Sequence, residues 1–447
     1  MYSKMRDKKN ILVFPCGSEI GLEIHRSLVH STYFHLIGAS SVDDHGKFVF
    51  EDYIGDVPYL TDEQFIAHMK ELVVLRKIDA IYPATDAAIT YLKRAEDELG
   101  CKVIAPCLET VELCLSKRKT YEALKDVIPV PHQYTSVQEI THYPVFGKHD
   151  VGHSAIGTQR LDDETMVTDY LLHNPTAVIC DYLPGDEYTV DCFSNSKGEL
   201  LFFGARERAR IKNGISVNTK PYDDAKDEFR PLIEAINAHV AFREAWFAQF
   251  KRNIQGQLVL LEIAARLGGS SALFRACGVN FAQLTLFDAF GYEVSITPLN
   301  SYTHTHTHTH THTHGAPCIV MDRALDNVFK MDLRYTEVYV DFDDCILIDE
   351  KYVNTELVAF LYQCLNEQVK LTLLTHHDKD IYESLKKIRL EGLFDRIIHI
   401  DRSHPKSEYI DNEDSIFIDD SFAERAAVVK NKHIPVFSID MIKMLIK

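Results

Sequence analysis

The stretch AWFAQFKRNIQGQLVLLEIAARLGGSSALFRACGVNF, residues 245–281, is the most informative part of the chain. It alternates apolar runs of strand length with polar or glycine-rich turns. Residues 116–300 share this character, as VFGKHDVGHSAIG and VICDYLPGDEYTVDCF illustrate. The pattern predicts an α+β region that is built around antiparallel sheets.

A different pattern precedes this region. In residues 1–115, the strand-like runs NILVFPCG, FHLIGASS, DAIYPATD and CKVIAP alternate with segments of helical spacing. Such alternation predicts a Rossmann-like α/β domain with a parallel sheet and helices on both faces. The glycine turn after the first run leaves dinucleotide binding open as an alternative. Because Gly17 and Gly21 lack the GxGxxG spacing, an ordinary turn is favoured.

The composition restricts the class of partner. The formal net charge is −18, with 46% hydrophobic and 26% charged residues. These proportions are typical of ordinary globular protein, and the acidic charge disfavours nucleic acid and anionic membranes as partners. No apolar run approaches the length of a membrane span, and the ten cysteines lack the spacing of metal-binding pairs. We therefore expect a cytoplasmic protein with free thiols.

Basic side chains and glycine-rich loops recur between residues 116 and 214, in SKRKTYEALKDVIPVP, YPVFGKHDVGHSAIG, VICDYLPGDEYTVDCF and GARERARIKNG. Taken alone, a lysine with a glycine loop is typical of a hairpin, and an arginine-rich strand is typical of a solvated sheet edge. Together with residues 245–281, these segments resemble the ATP-grasp ligases, closest to the carbamoyl-phosphate-synthetase type. The implied nucleotide-binding residues are Lys117, Lys148, Gly152, Ser154, Gly157, Asp181, Glu187, Arg206 and Arg208, with Arg210 and Lys212 continuing the basic strand.

The resemblance assigns roles within that set. It implies that Lys148 contacts the α-phosphate of ATP and that Glu187 receives the ribose hydroxyls. The glycine loop would let backbone N–H groups approach the β- and γ-phosphates. Two positions depart from the family pattern, since Ser116 stands in place of an aspartate and Asp181 in place of a glutamate.

The same resemblance implies the metal and phosphoryl-transfer positions. Gln249 and Glu262 match two Mg²⁺ ligands, with Mn²⁺ as an alternative ion. Arg266 matches an arginine that stabilises the transferring phosphoryl group, and residues 268–271 would cradle the carboxylate substrate or the phosphate. Ala264 replaces an asparagine ligand of the family. Because alanine cannot coordinate a metal, the second Mg²⁺ site would be weaker or completed by another group.

Six Thr-His pairs occupy residues 303–314. Alternation by two would place all six histidines on one face of a strand, where a metal could bind. An exposed low-complexity linker or loop is favoured over such a site. Since the dinucleotide repeat ACACAC encodes Thr-His, we hypothesise that replication slippage in the tract switches expression of the part that follows. A tract of constant length among single colonies would refute this hypothesis.

After residue 335, alternating strand and helix patterns predict a second parallel sheet, of about five strands. The run EVYVDFDDCILID places Asp341 and Asp343 at the end of an apolar strand, where ligands bind in open α/β sheets. A solvated acidic turn is the alternative. Polar residues also follow the later strands, and they are Thr375 in LTLLT, Lys406 in SHPKSEY, and Asp419 and Asp420 in IFIDDS.

These four segments resemble, in order, the motifs of the haloacid-dehalogenase-like hydrolases over residues 336–447. The resemblance implies that Asp341 attacks phosphorus and that Asp343 protonates the leaving oxygen and later activates water. Thr375 and Lys406 would hold the transferring phosphoryl oxygens. The implied Mg²⁺ ligands are Asp341, Asp343 through its carbonyl, Asp419 and Asp420.

The spacing of the motifs adds an inference about this site. Only 34 positions separate Asp341 from Thr375, and 31 separate Thr375 from Lys406. These intervals are too short for the cap domains that most relatives insert, so a cap-less, open site is expected. Cys345 stands where the family usually has threonine or valine.

We therefore expect three domains, at residues 1–115, 116–330 (with the Thr-His repeat) and 335–447. The predicted protein is a bifunctional enzyme that joins a small-molecule carboxylate to an amine and hydrolyses a phosphorylated metabolite. Whether it forms a homodimer is left open. Two other functions remain as alternatives: an ATP-grasp kinase or carboxylase that makes no amide, and a degenerate ATP-binding regulator of an active phosphatase.

Overall fold

The computed structural model describes residues 8–152, 156–222, 225–296 and 319–447. The chain divides into an N-terminal unit, Met1–Leu325, and a C-terminal unit, Asp326–Lys447. Ser154 and the Thr-His repeat at 303–314 lie outside the described residues. Among the residues described, no helix is both long and apolar enough to cross a membrane, and no disulfide joins two cysteines.

The N-terminal unit begins with a parallel sheet in the order β3-β2-β1-β4-β5. Its strands are β1 Lys9–Phe14, β2 Phe34–Ala39, β3 Asp52–Ile54, β4 Ala80–Pro83 and β5 Lys102–Val103. The accompanying helices are α1 Glu19–Leu28, α2 Gly46–Val49, α3 Phe65–Leu75, α4 Asp86–Arg94, α5 Glu96–Leu99 and α6 Leu108–Leu115. The structure confirms the predicted parallel α/β arrangement and adds the short elements α2 and β3.

Strand β1 is a continuous apolar run because it is central in this sheet and covered on both faces. Ile11 and Val13 pack into one cluster of buried residues, and Leu12 and Phe14 pack into another. All four side chains are at most 1% exposed. The alternation of the two clusters along the strand reflects the two-residue period of a pleated backbone.

The turn after β1 is packed against a carboxylate. A Cβ atom on Gly17 would lie only 2.0 Å from Cγ of Asp44. Asp44 is held there because its carboxylate accepts hydrogen bonds from the Gly46 N–H (2.9 Å) and the Ser40 hydroxyl (2.8 Å). An acidic group at this turn disfavours a nucleotide phosphate there, which supports an ordinary turn over dinucleotide binding.

An antiparallel sheet follows, in the order β6-β9-β7-β8. Helix α7 Lys117–Leu124 precedes it, and its elements are β6 Gln133–Tyr134, β7 Val145–Lys148, β8 Gln159–Leu161, α8 Glu164–His173 and β9 Val178–Asp181. Val145, Leu161, Val167 and Ile179 form its core with three other buried residues. The sheet confirms the antiparallel character that the glycine-rich turns predicted.

A larger antiparallel sheet completes the unit, in the order β14-β13-β10-β11-β12-β15. Its strands are β10 Glu187–Ser194, β11 Leu200–Lys212, β12 Ile215–Pro221, β13 Glu244–Arg252, β14 Leu258–Ala264 and β15 Met321–Asp322. Helices α9 Ala225–His239, α10 Ala272–Ala276 and α11 Phe281–Ala289 accompany it. Strand β15 lies beyond the Thr-His repeat in sequence, yet it pairs with β12 at the edge of this sheet.

The C-terminal unit contains a parallel sheet in the order β20-β19-β16-β21-β22 and a small hairpin, β17-β18. Its strands are β16 Glu337–Val340, β17 Leu347–Ile348, β18 Tyr352–Val353, β19 Lys370–Thr375, β20 Arg396–His399, β21 Ser415–Ile418 and β22 Val436–Phe437. The helices are α12 Thr355–Asn366, α13 Ile381–Lys387 and α14 Phe422–Lys432. The predicted parallel sheet of five strands is confirmed.

Candidate functional sites

A cavity of about 260 Å³ is lined by both antiparallel sheets of the N-terminal unit. The structure brings eight of the predicted binding residues to its wall: Lys117, Lys148, Gly152, Asp181, Glu187, Arg208, Gln249 and Glu262. Arg206 lies instead at a second cavity, Gly157 lines neither cavity, and Ser154 lies outside the described residues. The side chains of the first cavity are thus close together, although more than 140 positions separate the first of them from the last.

Lys148 is buried at the end of β7, with 5% of its surface exposed. Its ammonium group donates a hydrogen bond to the Tyr121 hydroxyl and lies 4.8 Å from the centroid of the same ring. The Tyr121 hydroxyl in turn donates to the Leu261 carbonyl on β14. Tyr121 therefore holds the lysine at the cavity wall by a hydrogen bond. Sequence reasoning missed Tyr121, which lies within the quoted segment SKRKTYEALKDVIPVP.

Ser116, the departure from the family's aspartate, caps helix α7. Its hydroxyl accepts from the Lys119 N–H at 3.1 Å and donates to Asp150 at 2.9 Å. Serine is among the residues preferred at this position, because its side chain satisfies a free N–H of the first helical turn. The cap thus fixes the start of the helix beside the cavity.

Lys117 contacts the glycine-rich loop, and both line the cavity. Its ammonium group donates to the Gly152 carbonyl at 3.1 Å. Loss of hydration lowers the pKa of Lys117, an effect that Lys148 strengthens and Glu262 opposes. A negatively charged ligand would stabilise the charged form of this lysine.

Glu187 and Asp181 lie on the strands that flank the connection between the two sheets. Glu187 forms ion pairs with Arg208 (2.7 Å) and Lys251 (3.7 Å). Asp181 accepts from the Tyr134 hydroxyl and from the His132 N–H, each at 2.9 Å. Both carboxylates are thus fixed in place, and their predicted contacts to adenosine stay predictions.

Gln249 and Glu262 stand directly opposite each other on β13 and β14. Both residues line the cavity, and their side chains carry an amide oxygen and a carboxylate. Such oxygen donors fit a hard divalent cation. Ala264, by contrast, pairs with Phe247 and is buried, so it offers no donor to this site.

The basic strand β11 divides into buried and exposed arginines. Arg206 is 2% exposed and pairs with the buried Asp191 at 2.6 Å. Arg208 pairs with Glu187 at the cavity.

Arg210 instead pairs with Asp322 at 2.6 Å, and both side chains are more than half exposed. Lys212 is also exposed, and neither Arg210 nor Lys212 lines the described cavities, so their membership of the phosphate-binding cluster stays a prediction. The irregular pairing of β11 with β12 begins between Arg208 and Arg210.

A second cavity, of about 730 Å³, adjoins the first and extends to the parallel sheet. Arg266 lies in its wall and donates to both carboxylate oxygens of Asp86, at 2.7 and 2.8 Å. Asp86 begins helix α4, directly after the helix cap Thr85. The domain that contains the parallel sheet thus supplies a carboxylate that pairs with Arg266, the predicted phosphoryl-transfer arginine. In the sequence, Asp86 was only the last residue of the strand-like run DAIYPATD.

A second ion pair, between Arg323 and Glu19, lines the same cavity. Arg323 follows β15, and its guanidinium donates to Glu19 at 2.7 Å and to the Ser270 hydroxyl at 3.3 Å. A Cβ atom on Gly269 would lie 2.7 Å from the Glu19 carboxylate, so the glycine permits this approach. Sequence reasoning missed Glu19 and Arg323, because their contact joins residues 304 positions apart.

In the C-terminal unit, Lys406 joins two carboxylates. Its ammonium group lies 2.9 Å from Asp341 and 2.6 Å from Asp419, and all three residues are buried. Burial alone would lower the pKa of Lys406, but the two carboxylates outweigh it and raise this pKa above its ordinary value. Thr375 ends β19 beside them in the sheet order, and no hydrogen-bond partner for its buried hydroxyl occurs in the described part of the chain.

Asp343 turns toward a histidine. His377 Nδ1 lies 2.9 and 3.0 Å from its two carboxylate oxygens. Oxygen and sulfur atoms of Asp341, Asp420 and Cys345 also lie within 4.8 Å of one another. Carboxylates so arranged fit a divalent cation, while burial raises the pKa of the Cys345 thiol and keeps it protonated. Sequence reasoning missed His377, for which the only signal was its place two residues after Thr375.

Comparison with known proteins bears on the N-terminal unit. Residues 173–310 match the family described as ATP-grasp in the biosynthetic pathway with Ter operon. A search of curated protein sequences gave no match. The family match covers less than half of the chain, so the fold rests also on similarity to solved structures.

Three solved structures illustrate that similarity. The biotin carboxylase domain of Hydrogenobacter thermophilus 2-oxoglutarate carboxylase, in complex with MgADP, ADP and bicarbonate, is 14% identical with a TM-score of 0.56, covering 65% of this chain and 71% of that chain. L-amino acid ligase from Bacillus licheniformis is 19% identical with a TM-score of 0.52, covering 64% and 75%. N5-carboxyaminoimidazole synthetase from Staphylococcus aureus, complexed with ADP, is 16% identical with a TM-score of 0.54, covering 66% and 80%. The chain therefore contains an ATP-grasp domain.

Proposed function

We propose that the N-terminal unit is an ATP-dependent carboxylate–amine ligase that works through an acyl phosphate. The observation that carries this proposal is the junction of the two cavities, since Lys117, Arg208, Gln249 and Glu262 line both of them. A nucleotide in the smaller cavity would present its terminal phosphate at this junction to a carboxylate in the larger one. ATP with Mg²⁺ or Mn²⁺ is the proposed cofactor, as two of the three solved structures named above are described with ADP or MgADP.

The proposed reaction has two steps. A carboxylate oxygen of the substrate attacks the γ-phosphorus, the bond to the ADP oxygen breaks, and ADP leaves. The amine nitrogen then attacks the acyl carbon, phosphate leaves with the bonding electrons, and the nitrogen loses a proton. Lys117 and Arg208 would offset the phosphate charge at the junction, and a cation at Gln249 and Glu262 would supply further positive charge.

The contacts of Arg266 support a role on the acceptor side. Its guanidinium is only 17% exposed and is neutralised by Asp86. An incoming carboxylate or acyl phosphate would add a second negative group to this arginine, which has five N–H donors. Arg266 would therefore bind the substrate as a cation that Asp86 both holds in place and partly neutralises.

The decisive experiment measures ADP release from ATP and Mg²⁺ with pooled carboxylates and amines. It uses the Asp341→Asn chain, which removes ATP hydrolysis by the other unit. Ligation requires that release depend on both a carboxylate and an amine. ADP release with bicarbonate alone would instead indicate a carboxylase. A phosphorylated product without amine consumption would instead indicate a kinase.

The same assay tests the alternative that the N-terminal unit is a degenerate ATP-binding regulator of the phosphatase. The named relatives include a biotin carboxylase domain and an L-amino acid ligase, so the fold alone does not separate these reactions. ATP binding without ADP release in any pool would favour the regulator. Restoration of release by Ala264→Asn would then attribute the loss to the missing metal ligand.

We propose a second activity, Mg²⁺-dependent hydrolysis of a phosphomonoester, for the C-terminal unit. The observation that favours it is the buried contact of Lys406 with Asp341 and Asp419 at the carboxyl end of the parallel sheet. Asp341 would attack phosphorus while Asp343 gives its proton to the leaving oxygen. Water then attacks the phosphorus of the aspartyl phosphate, losing a proton to Asp343, and phosphate leaves.

Hydrolysis of p-nitrophenyl phosphate by the full chain tests this activity. We expect turnover that requires Mg²⁺ and disappears in Asp341→Asn. Turnover that survives the substitution would overturn the assignment of the nucleophile and of the activity.

We further propose that both activities serve one metabolite, the phosphate being removed before or after ligation. The fusion supports this idea, because tethering raises the effective concentration of an intermediate. An open site suits a bulky phosphorylated amino alcohol or sugar carboxylate. Once the ligase substrates are known, the phosphatase should prefer a phosphorylated form of one of them or of the product. Unrelated preferences would refute the coupling.

A further inference from the structure

The proposed phosphatase site contains an imidazole that none of the four motifs includes. His377 lies two residues after Thr375, and its side chain is only 5% exposed. Nδ1 of its ring is within 3.0 Å of both carboxylate oxygens of Asp343. Nε2 lies 2.8 Å from the Ser384 hydroxyl on α13. Both ring nitrogens are therefore engaged in hydrogen bonds.

The surroundings of the ring fix its orientation. The Phe342 ring meets it edge-on, with centroids 4.8 Å apart and an interplanar angle of 66°. The backbone carbonyl of His377 lies 2.5 Å from Nε2 of His399. The ring is thus held by an aromatic neighbour, by a helix and through its own backbone. Asp343, whose side chain is 40% exposed, depends on this ring for a fixed direction.

The orientation of the Asp343 carboxyl group matters for its proposed chemistry. Rotation about the last bond of an aspartate side chain is broad, so an exposed carboxyl samples many directions. A general acid must meet the leaving oxygen at hydrogen-bond distance when the phosphorus–oxygen bond breaks. A fixed neighbour that binds both carboxylate oxygens removes this freedom.

We propose that His377, anchored by Ser384, is a positioning residue that orients Asp343 for proton transfer to the leaving group. The inference rests on the proposed phosphatase function. The proton moves from Asp343 to the leaving oxygen as Asp341 bonds to phosphorus, and it is replaced when water attacks the aspartyl phosphate. His377 touches neither the substrate nor phosphorus in this scheme.

Leaving-group dependence separates this role from a structural one. p-Nitrophenolate leaves without protonation, whereas the alkoxide of β-glycerophosphate needs the proton of a general acid. kcat/KM reports the first step, in which the leaving group departs. Loss of acid positioning should therefore lower kcat/KM much more for β-glycerophosphate than for p-nitrophenyl phosphate. kcat should fall for both wherever hydrolysis of the shared intermediate limits the rate, because Asp343 also activates the water.

Two substitutions form a matched pair. The amide nitrogen of asparagine superposes on Nδ1 of histidine, so His377→Asn keeps a donor toward Asp343. The amide nitrogen of glutamine superposes on Nε2, so His377→Gln keeps only the contact to Ser384. We expect His377→Gln to lose about tenfold or more in kcat/KM for β-glycerophosphate with little change for p-nitrophenyl phosphate. His377→Asn should recover most of that loss.

Ser384→Ala provides an independent measurement if a histidine variant does not fold. It removes the anchor without changing the ring, and a smaller loss with the same leaving-group dependence is expected. Equal losses in kcat/KM for both esters, or equal kcat/KM values of His377→Asn and His377→Gln for β-glycerophosphate, would overturn the positioning role. Failure of the proposed function is distinguishable, because the parent chain would then hydrolyse neither ester with Mg²⁺.

Discussion

At the scale of single residues, Lys406 is 2% exposed and neutralises two buried carboxylates. Lys406→Met would leave Asp341 and Asp419 without their cation. We expect the free energy of unfolding of the C-terminal unit to fall by about 3–5 kcal/mol and phosphatase activity to disappear. Urea titration followed by near-UV circular dichroism measures the first effect.

Lys443→Met is the matched control for this prediction. Lys443 also pairs with a carboxylate, Asp326, but their side chains are 47% and 75% exposed. Solvated pairs contribute about 0–1 kcal/mol, so little change in stability is expected. Equal destabilisation by the two substitutions would contradict the importance of burial.

A pH-dependent contribution is expected from Glu228, which accepts from two nitrogens of Arg252 at 2.6 and 2.8 Å. The hydrogen bonds from Arg252 hold the pKa of Glu228 below its ordinary value of 4.5. Because the pKa is lower in the folded than in the unfolded state, the ionised carboxylate stabilises the protein at pH values above the unfolded-state pKa. This stability is lost as the pH falls through the folded-state pKa.

Glu228→Gln should therefore lower the free energy of unfolding of the N-terminal unit by roughly 0.5–1 kcal/mol near pH 7. The difference from the parent should vanish well below pH 4.5, where both side chains are neutral. Glu234→Gln, on the same helix α9 and in an exposed pair with Arg230, serves as control and should have no measurable effect. A constant difference across the pH range would refute the role of ionisation.

At the scale of elements, the glycine-rich loop ends at Gly157, which has a φ of +70°. A Cβ atom there would lie 2.2 Å from Nε2 of His149, a residue that lines both cavities. Gly157→Ala should strain the backbone and displace His149. We expect affinity for a fluorescent ATP analogue to fall about tenfold, which corresponds to about 1.4 kcal/mol.

Gly256→Ala separates backbone strain from the effect on the nucleotide site. Gly256 has a φ of +80° in the turn between β13 and β14, and a Cβ atom there would meet no atom within 4 Å. Both variants should lose about 1 kcal/mol in stability, because alanine disfavours a positive φ. Only Gly157→Ala should weaken ATP binding, and an equal effect of both on affinity would contradict the prediction.

At the scale of the whole molecule, the two units have separate cores. The buried clusters of the C-terminal unit draw all their described members from residues 333 to 446. Residues 326–447 should therefore fold alone and hydrolyse p-nitrophenyl phosphate with Mg²⁺. The same fragment with Asp341→Asn should give the same urea transition without turnover. A fragment without a cooperative transition would show that its core needs the rest of the chain.

Much of the fold could be predicted from local pattern. The alternation of apolar strands and helices predicted both parallel sheets, and the glycine-rich turns predicted the antiparallel region. Short elements such as β3, with three residues, escaped because they are too brief to show a period. The candidate site residues came from the resemblance to ATP-grasp and haloacid-dehalogenase-like proteins, and eight of the residues implied by the ATP-grasp resemblance line one cavity. Their roles in binding and catalysis stay predictions.

The sequence by itself determined the order and type of the elements, since periodicity and turn residues are local properties of the chain. It also carried the motifs that resemble ATP-grasp and haloacid-dehalogenase-like proteins. Only the tertiary structure decided which charges meet, as in the pairs Arg266–Asp86 and Arg323–Glu19, 180 and 304 positions apart. The contact of His377 with Asp343 was decided in the same way. The reason is that an ion pair or hydrogen bond depends on distances of about 3 Å, and these are set by sheet order and packing rather than by spacing along the chain.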